Sequence, residues 1–348
     1  MTDVEGNWEY FNVLVERSPV VSWAEGGTRL QLAAGGYFVH GGDSPDKGPG
    51  DIRVVSAMVQ LKMKHPDRVF LILGNRDINK LRFGSELAAG ADTSKVDVFW
   101  DAKHMPYTAW LEEHKAEAGT MSALKWMLDK TMGCQTTFAT RRAELGVLRG
   151  QAAGDVSDGD VLESFKQSVD PGSANPWMLR YIQLGQLMLV LGDIVFVHGA
   201  ISESALGFVP GKPARCPDLL SWCTELNAWC SSEVRHYARS HGDPALGTSK
   251  RAADDLLTYG VPVPPGHEYF GKTVIYNDGF VKKGDYVIPD TATQDFLVAA
   301  GVHRACVGHI PRYGLYFPVC LFVSVCLCVS RISINACCLH AQIRKSTR

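Results

Sequence analysis

The chain lacks an excess of basic residues. Its 348 residues include 35 Lys and Arg against 37 Asp and Glu, which gives a formal net charge of −2. Non-specific binding to nucleic acid or to an anionic membrane requires a surplus of positive charge. The composition therefore argues against nucleic acid and against a membrane as partners. The polar, acidic residues 1–7 also lack the basic and apolar regions of a secretory signal, so we expect a cytoplasmic protein.

Cysteine pairs with metal-site spacing are missing as well. The chain has ten cysteines. Five are scattered between Cys134 and Cys306, the other five crowd into residues 320–338, and none forms a Cys-x-x-Cys pair. Structural zinc sites and disulfide frameworks depend on regular cysteine spacing. We therefore expect free thiols in the main body of the chain.

Short apolar runs end repeatedly in polar loops. They cover residues 37–40, 69–73, 194–197 and 304–307, and each is followed by Gly, Asp, Asn or His. Continuous apolar strands of this kind are typical of sheets buried on both faces. Helical patterns follow, for example in residues 51–65 and after a capping box that begins at Thr291. The alternation predicts an α/β fold.

One stretch departs from this alternation. Residues 84–185 contain helix formers and dispersed aromatic residues but few strand signals. The stretch lies between two of the polar loops that follow apolar runs. We therefore predict a largely helical insertion beside the site that those loops form.

Chemically active side chains are concentrated at the predicted strand ends, where ligands gather in α/β sheets. With the first residues of the chain, these positions carry Asp3, Glu5, Asp43, Asp46, Asn75, Arg76, Asp77, His198 and His309. Carboxylates, an amide oxygen and imidazoles together suit divalent Mn, Fe or Zn. A carboxylate shared by two ions would set them about 3.5–4 Å apart, the separation that clamps a phosphoryl group.

Five motifs in order resemble those of the calcineurin-like metallophosphoesterase family. They are Asp3-Val4-Glu5-Gly6, Gly42-Asp43-Ser44-Pro45-Asp46-Lys47-Gly48, Gly74-Asn75-Arg76-Asp77, Val197-His198-Gly199 and Gly308-His309. The resemblance runs from about residue 2 to residue 314 and favours a divergent eukaryotic branch with Asp-x-Glu-Gly-Asn and Gly-Asn-Arg-Asp motifs. It implies a β-sandwich flanked by helices, in a metallophosphoesterase domain spanning residues 1–314. It also implies hydrolysis of phosphoesters or phosphoanhydrides by a water activated by two divalent ions.

The resemblance implies roles for individual residues. Asp3 and Glu5 would hold the first metal, and Asp43 would bridge both ions. The second metal would be held by Asn75, His198 and His309. Catalytic roles fall to Asp46, Lys47 and Arg76, and Arg76 would also bind substrate. Lys80 and Arg82 come just after the third motif, so they either extend the substrate-binding surface or are solvated charges. The partner is then a phosphorylated protein or nucleotide.

Three of these positions depart from the common family pattern. Glu5 replaces a His and would favour a harder metal, while Lys47 replaces an Arg and loses its fork geometry. Arg76 replaces the His that protonates the leaving group, and an arginine does not release a proton at working pH. Either the leaving group needs little protonation, as in a phosphoanhydride or an acidic ester, or another group supplies the proton. The alternative is an inactive protein that binds metal or phosphate and acts as an interaction module.

Both ends differ from the expected domain. The family places a buried strand before its first motif, but Asp3 is only the third residue. We therefore expect a truncated or mis-started sequence in which Asp3 and Glu5 are poorly anchored. Residues 315–348 begin with an apolar, cysteine-rich run that is short for a membrane span. Translated non-coding sequence is favoured over a membrane anchor, and we expect this tail to lie outside the fold.

Overall fold

A computed structural model describes most of the chain. The described residues are 1–96, 105–240, 253–277, 279–282, 285–309 and 325–328. Within them the α-helices are α1 (Trp8–Glu16), α2 (Asp51–Lys64), α3 (Asn75–Ile78), α4 (Arg82–Glu86), α5 (Tyr107–His114), α6 (Thr120–Trp126), α7 (Thr137–Arg149), α8 (Asp158–Val169), α9 (Trp177–Leu184), α10 (Leu219–Ser240), α11 (Asp254–Tyr259) and α12 (Thr291–Ala299). The strands are β1 (Val21–Trp23), β2 (Leu30–Leu32), β3 (Phe38–His40), β4 (Val69–Leu71), β5 (Met188–Leu191), β6 (Ile194–Val197), β7 (Val281–Lys282), β8 (Asp285–Tyr286), β9 (Arg304–Val307) and β10 (Val325–Cys328).

The four apolar runs predicted as strands become two parallel pairs. Strand β3 pairs with β4, and β6 pairs with β9. The second pair lies inside a four-stranded sheet of order β10-β9-β6-β5, whose outer strands are antiparallel to their neighbours. A parallel bridge between Ile72 and Gln186 joins the end of β4 to the residues before β5. The α/β class is confirmed, whereas the small sheets of the described residues do not establish a β-sandwich.

The first residues of the chain are anchored, contrary to expectation. The Met1 amino group donates to Val39 O (3.2 Å), and Gly41 N donates to Met1 O (2.7 Å). Asp3 N and Glu5 N then donate to the carbonyl oxygens of Gly42 and Asp43, at 2.9 and 3.0 Å. This pattern is that of a parallel neighbour of β3. The segment therefore fixes Asp3 and Glu5 through main-chain bonds.

The described part of residues 84–185 contains helices and no strand. Helix α7 connects it to the loop after β3 through side chains on one face. Glu144 accepts hydrogen bonds from Ile52 N and Arg53 N, both at 3.0 Å, and so caps α2, whose own cap residue Gly50 has no side chain. One turn earlier, Arg141 forms a buried 2.9 Å ion pair with Asp51. The helical segment therefore holds the site loop and the start of α2 in place.

Two local predictions need correction. Helix α12 is capped by Asp290, which accepts from Thr293 N at 2.9 Å, so the cap lies one residue before the predicted Thr291. Residues 325–328 form β10 against β9, which differs from the expectation that residues 315–348 stand outside the fold. The rest of that tail lies outside the described residues. None of the helices in the described ranges is long and apolar enough to cross a membrane.

Candidate metal centre

Four side chains from the ends of the two parallel strand pairs converge on one point. The Asn75 Oδ1 atom lies 3.0 Å from His309 Nδ1 and 3.2 Å from His198 Nε2. Asp43 Oδ1 lies 3.4 Å from the same His198 nitrogen. The potential ligand atoms of Asp43, His198 and His309 all lie within 4.8 Å of one another. These are the four residues that the resemblance assigns to the second metal.

The chemistry of this cluster fits a cation. The Nδ1 atom of His198 donates to Gly41 O at 2.8 Å, which turns Nε2 toward the oxygens of Asp43 and Asn75. An unprotonated Nε2 and two oxygens would face each other with lone pairs alone. Burial by itself would lower the pKa of His198, but the Asp43 carboxylate raises that pKa to about 10. The cluster therefore requires positive charge, from a proton or from a divalent metal held by these donors.

His309 differs electrostatically from His198. Burial and the neighbouring His198 lower the pKa of His309 to about 4, so its ring is neutral at pH 7. Its backbone N donates to Asp3 Oδ1 at 3.1 Å, and its ring lies 4.5 Å from that of Tyr276, measured between centroids. A neutral imidazole of fixed orientation is the form that binds metals.

Asp77 anchors two loops of the candidate metal centre, although sequence analysis gave it no role. Its buried carboxylate accepts from Asp43 N (2.9 Å), Ser44 N (3.0 Å), Ser44 Oγ (2.6 Å) and Gly74 N (2.7 Å). The carboxylate thereby joins the loop after β3 to the start of α3. A signal was present in the sequence, because Asp77 is the third residue of a helix whose cap is Gly74, the position from which a carboxylate bonds back to the cap amide.

Backbone strain is concentrated at this site. Among the described residues, seven that are not glycine have a positive φ. Five of the seven are site residues: Asp3 (49°), Glu5 (48°), Asp43 (54°), Asp46 (127°) and His309 (67°). Such conformations cost on the order of 1–3 kcal/mol each and persist where the surroundings enforce them. The hydrogen bonds of residues 1–6, Asp77 and His309 supply that enforcement.

Two glycines allow the loops to approach closely. A Cβ on Gly42 would lie 2.6 Å from His198 Nδ1 and 2.7 Å from Gly74 N, and one on Gly74 would lie 2.2 Å from Asp43 Oδ1. Gly42 also has a φ of +96°. Both positions therefore require glycine if the candidate metal-ligand atoms are to meet.

Arg76 lies among carboxylates beside the four-donor cluster, which is the set of candidate metal ligands Asp43, Asn75, His198 and His309. Its Nε atom is 2.9 Å from Glu5 Oε1 and 3.6 Å from Asp43 Oδ2, and one terminal nitrogen is 3.2 Å from Asp46 Oδ2. Burial would lower the pKa of Arg76, but Asp46, Asp43 and Glu5 together raise it above its usual value. Arg76 therefore remains charged and is not a proton donor. Lys47, about half exposed, also contacts Glu5 Oε1 at 2.9 Å.

Asp3 lies close to the cluster but is bonded within the protein. Its Oδ2 atom accepts from Thr2 Oγ1 at 2.5 Å, and its Oδ1 atom accepts from His309 N at 3.1 Å. Burial raises the pKa of Asp3 to about 7. Asp3 thus links the first motif to the last one.

Two residues predicted to bind substrate are buried instead. Lys80 is 3% exposed, and its ammonium lies 2.6 Å from Asp46 Oδ1 and 2.7 Å from Asn79 Oδ1. Arg82 is 2% exposed and binds both carboxylate oxygens of Glu86, at 2.7 and 2.8 Å. These placements disagree with the expectation that Lys80 and Arg82 contact substrate, because the helical segment covers them. Among the described residues, Lys80 contacts the site at Asp46.

A cavity of about 530 Å³ opens next to His309. Its described lining includes the rings of two tyrosines and one phenylalanine and several small polar groups, and His309 is its one basic residue. The lining residues are Ser202, Ser204, Val261, Pro262, Val263, Tyr269, Phe270, Gly271, Thr273, Tyr276, Asn277, Gly279 and His309. The cavity offers space beside the donors for an uncharged, planar group.

Comparisons with known proteins leave the family undecided. No family model matches the chain, and no curated protein matches it. Among solved structures, it is similar to a cold-active protein tyrosine phosphatase, with 17% identity and a TM-score of 0.42. The match covers 90% of this chain and 63% of that one. A cold-active protein-tyrosine phosphatase from a psychrophilic Shewanella species matches at 16% identity and a TM-score of 0.41, over 91% of this chain and 67% of the other. At this identity and TM-score the similarity assigns neither a fold nor an activity to this chain. The function is therefore argued from the geometry of the site.

Proposed function

We propose that the protein is a metal-dependent hydrolase of phosphoesters or phosphoanhydrides. The observation that carries the proposal is the convergence of Asp43, Asn75, His198 and His309 at 3.0–3.4 Å, at the ends of two parallel strand pairs. A divalent cation bound there would supply Lewis acidity to a phosphoryl oxygen and would lower the pKa of water. Mn, Fe and Zn all suit this mixture of oxygen and imidazole donors.

The side chains around the donors would bind and orient the phosphoryl group. Arg76 is 17% exposed and carries a fixed charge toward which phosphate oxygens would be drawn. Asp46 is fully buried and binds Arg76 and Lys80, so it positions Arg76 rather than contacting substrate. Lys47 has enough exposed surface to meet a phosphate as well.

The organic part of the substrate would lie in the cavity beside His309. Tyr276 forms one wall, is 41% exposed and packs against the His309 ring. Aromatic walls with small hydroxyl and amide groups favour a planar, uncharged moiety over a charged one. A nucleoside or an aryl group attached to phosphate meets this description.

The proposed reaction should depend strongly on the leaving group. Arg76 stands where the family pattern has a proton donor and cannot act as one, because its pKa is raised. Aryl phosphates and phosphoanhydrides should therefore be hydrolysed far faster than alkyl phosphates. Measuring kcat/KM across a series of substituted phenyl phosphates and one alkyl phosphate tests this expectation. Equal rates across the series would contradict it.

The test of the proposal is turnover of an aryl phosphate and a dinucleoside polyphosphate by the full chain with added Mn²⁺. Asp43→Asn should reduce metal-dependent turnover by on the order of 100-fold or more, since even indirect contacts to metal ligands are worth about 10–100-fold. The matched control is Asp158→Asn, which removes a carboxylate from an exposed pair with Lys125 and should leave turnover unchanged.

The alternative function is a metal- or phosphate-binding module without catalysis. The observation that favours it is that three carboxylates engage Arg76, which ties up its charge within the protein. Metal binding without turnover of any phosphoester or dinucleoside polyphosphate would support this alternative and exclude the hydrolase.

A further inference from the structure

We infer that the guanidinium of Arg76 occupies the place of one of the two predicted metal ions, so that the centre binds a single divalent cation per chain. The inference rests on the metal-binding part of the proposed function. It concerns the half of the site that sequence analysis assigned to the first metal, with Asp3, Glu5 and Asp43 as ligands.

Each carboxylate of that half already has a partner within the protein. Glu5 Oε1 contacts Arg76 Nε and Lys47 Nζ, both at 2.9 Å. Arg76 Nε also lies 3.6 Å from Asp43 Oδ2, so it stands between the two carboxylates that an ion would have to join. Asp3 is bonded to Thr2 Oγ1 and to His309 N.

The carboxylates around Arg76 are paired with cations without a metal, while Asp3, the remaining carboxylate of this half, is bonded to Thr2 Oγ1 and His309 N. Three carboxylates, those of Glu5, Asp43 and Asp46, contact three cations, those of Lys47, Arg76 and Lys80. A divalent ion between Glu5 and Asp43 would lie next to the guanidinium and would be repelled by it. The other half differs, because Asn75, His198 and His309 include no Lys or Arg, so an ion held there would not compete with a fixed positive charge.

Arg76 is held so that it does not easily leave. One terminal nitrogen donates to Asp46 Oδ2 at 3.2 Å and to Met132 O at 3.4 Å. Asp46 is itself fixed, since its N donates to Asp51 Oδ1 (2.9 Å) and its carbonyl accepts from Thr137 Oγ1 (2.5 Å). Withdrawal of Arg76 would leave Asp46 buried with Lys80 as its remaining ion-pair partner among the described residues.

The experiment counts metal ions. The full chain is dialysed to equilibrium against Mn²⁺, and the bound metal per chain is measured by elemental analysis. Electron paramagnetic resonance of the same sample distinguishes an isolated Mn²⁺ from a spin-coupled pair. We expect one ion per chain with the spectrum of an isolated ion.

Variants at Arg76 test the cause. Arg76→Ala frees Glu5 and Asp43 and should raise the count to two with a coupled spectrum, whereas Arg76→Lys keeps the charge and should stay at one. Arg149→Ala, which removes an exposed pair with Asp160, is the matched control and should also stay at one. The wild-type count decides the single-ion claim even if Arg76→Ala fails to fold.

The outcomes separate this inference from the proposed hydrolase. Two ions in the wild type would overturn the inference and leave the hydrolase standing. One ion in the wild type without turnover would support the inference and contradict the hydrolase. A folded Arg76→Ala that still binds one ion would overturn the role given to the guanidinium, and no bound ion in the wild type would overturn both proposals.

Discussion

Replacing Gly42 by alanine should destabilise the protein and weaken metal binding together. Gly42 has a φ of +96°, and a Cβ there would lie 2.6 Å from His198 Nδ1 and 2.7 Å from Gly74 N. Contacts this short require the neighbours to move. Gly74 precedes the proposed ligand Asn75, so both sides of the four-donor cluster would shift.

The expected fall in the free energy of unfolding has two contributions. The left-handed backbone of a non-glycine residue costs roughly 1–2 kcal/mol, and forcing an extra methyl group into a packed site costs about 1–3 kcal/mol more. Metal affinity should fall by about 10–100-fold, the usual effect of disturbing the groups that orient metal ligands.

Gly26→Ala is the matched control, because Gly26 has a φ of +88° but no atom within 4 Å of the added Cβ. Its free energy of unfolding should fall only by the backbone contribution, roughly 1–2 kcal/mol. Its metal affinity should equal that of the wild type. Urea unfolding gives the free energies, and competition with a fluorescent chelator gives the affinities. Equal losses in both variants, with metal binding intact, would refute the close approach of the loops.

Two further predictions concern buried polar groups. Asp77→Asn replaces one oxygen that accepts two hydrogen bonds, so the free energy of unfolding measured in urea should fall by about 2–6 kcal/mol. The control is Asp290→Asn at the cap of α12, whose free energy of unfolding should fall by about 1 kcal/mol or less. Burial lowers the pKa of His40 to about 3, below its unfolded value of about 6.5, so its contribution to stability is present above pH 6.5 and is lost as the pH falls toward 3. The free-energy difference between wild type and His40→Gln should therefore fall by about 2 kcal/mol from pH 7.5 to pH 5, and a constant difference would contradict this.

The strand ends could be predicted because their signals are local. An apolar run followed by glycine and a polar residue, in either order, predicts both the strand and its end, as in residues 69–75 and 194–199. Parallel pairing then brings such termini together. The meeting of Asn75, His198 and His309 is therefore implied by short stretches of sequence, although their chain separations reach 234 residues.

The supports of the site could not be predicted in this way. Thr137 bonds to Asp46 O across 91 residues, and Glu144 caps α2 across a similar distance. Both lie on α7, where Thr and Glu look like ordinary surface residues of an amphipathic helix. The same helical segment buries Lys80 and Arg82, which a local reading places in solvent because charged side chains are seldom fully buried unless paired. Tertiary packing decides these contacts.

Arg76 shows why the pattern of residue types alone does not predict the role of each side chain at such a site. In sequence, an arginine in place of a histidine signals only the loss of a proton donor, and the natural inference is a direct contact with phosphate. In the structure the guanidinium first balances Glu5, Asp43 and Asp46, three carboxylates that would otherwise repel one another in a mostly buried space. Glu5 replaces a neutral ligand of the family pattern, so the added negative charge and the added positive charge meet at 2.9 Å. The two departures are therefore best understood as one compensated change, which explains why a carboxylate is tolerated at Glu5 and is the basis of the single-ion centre proposed above.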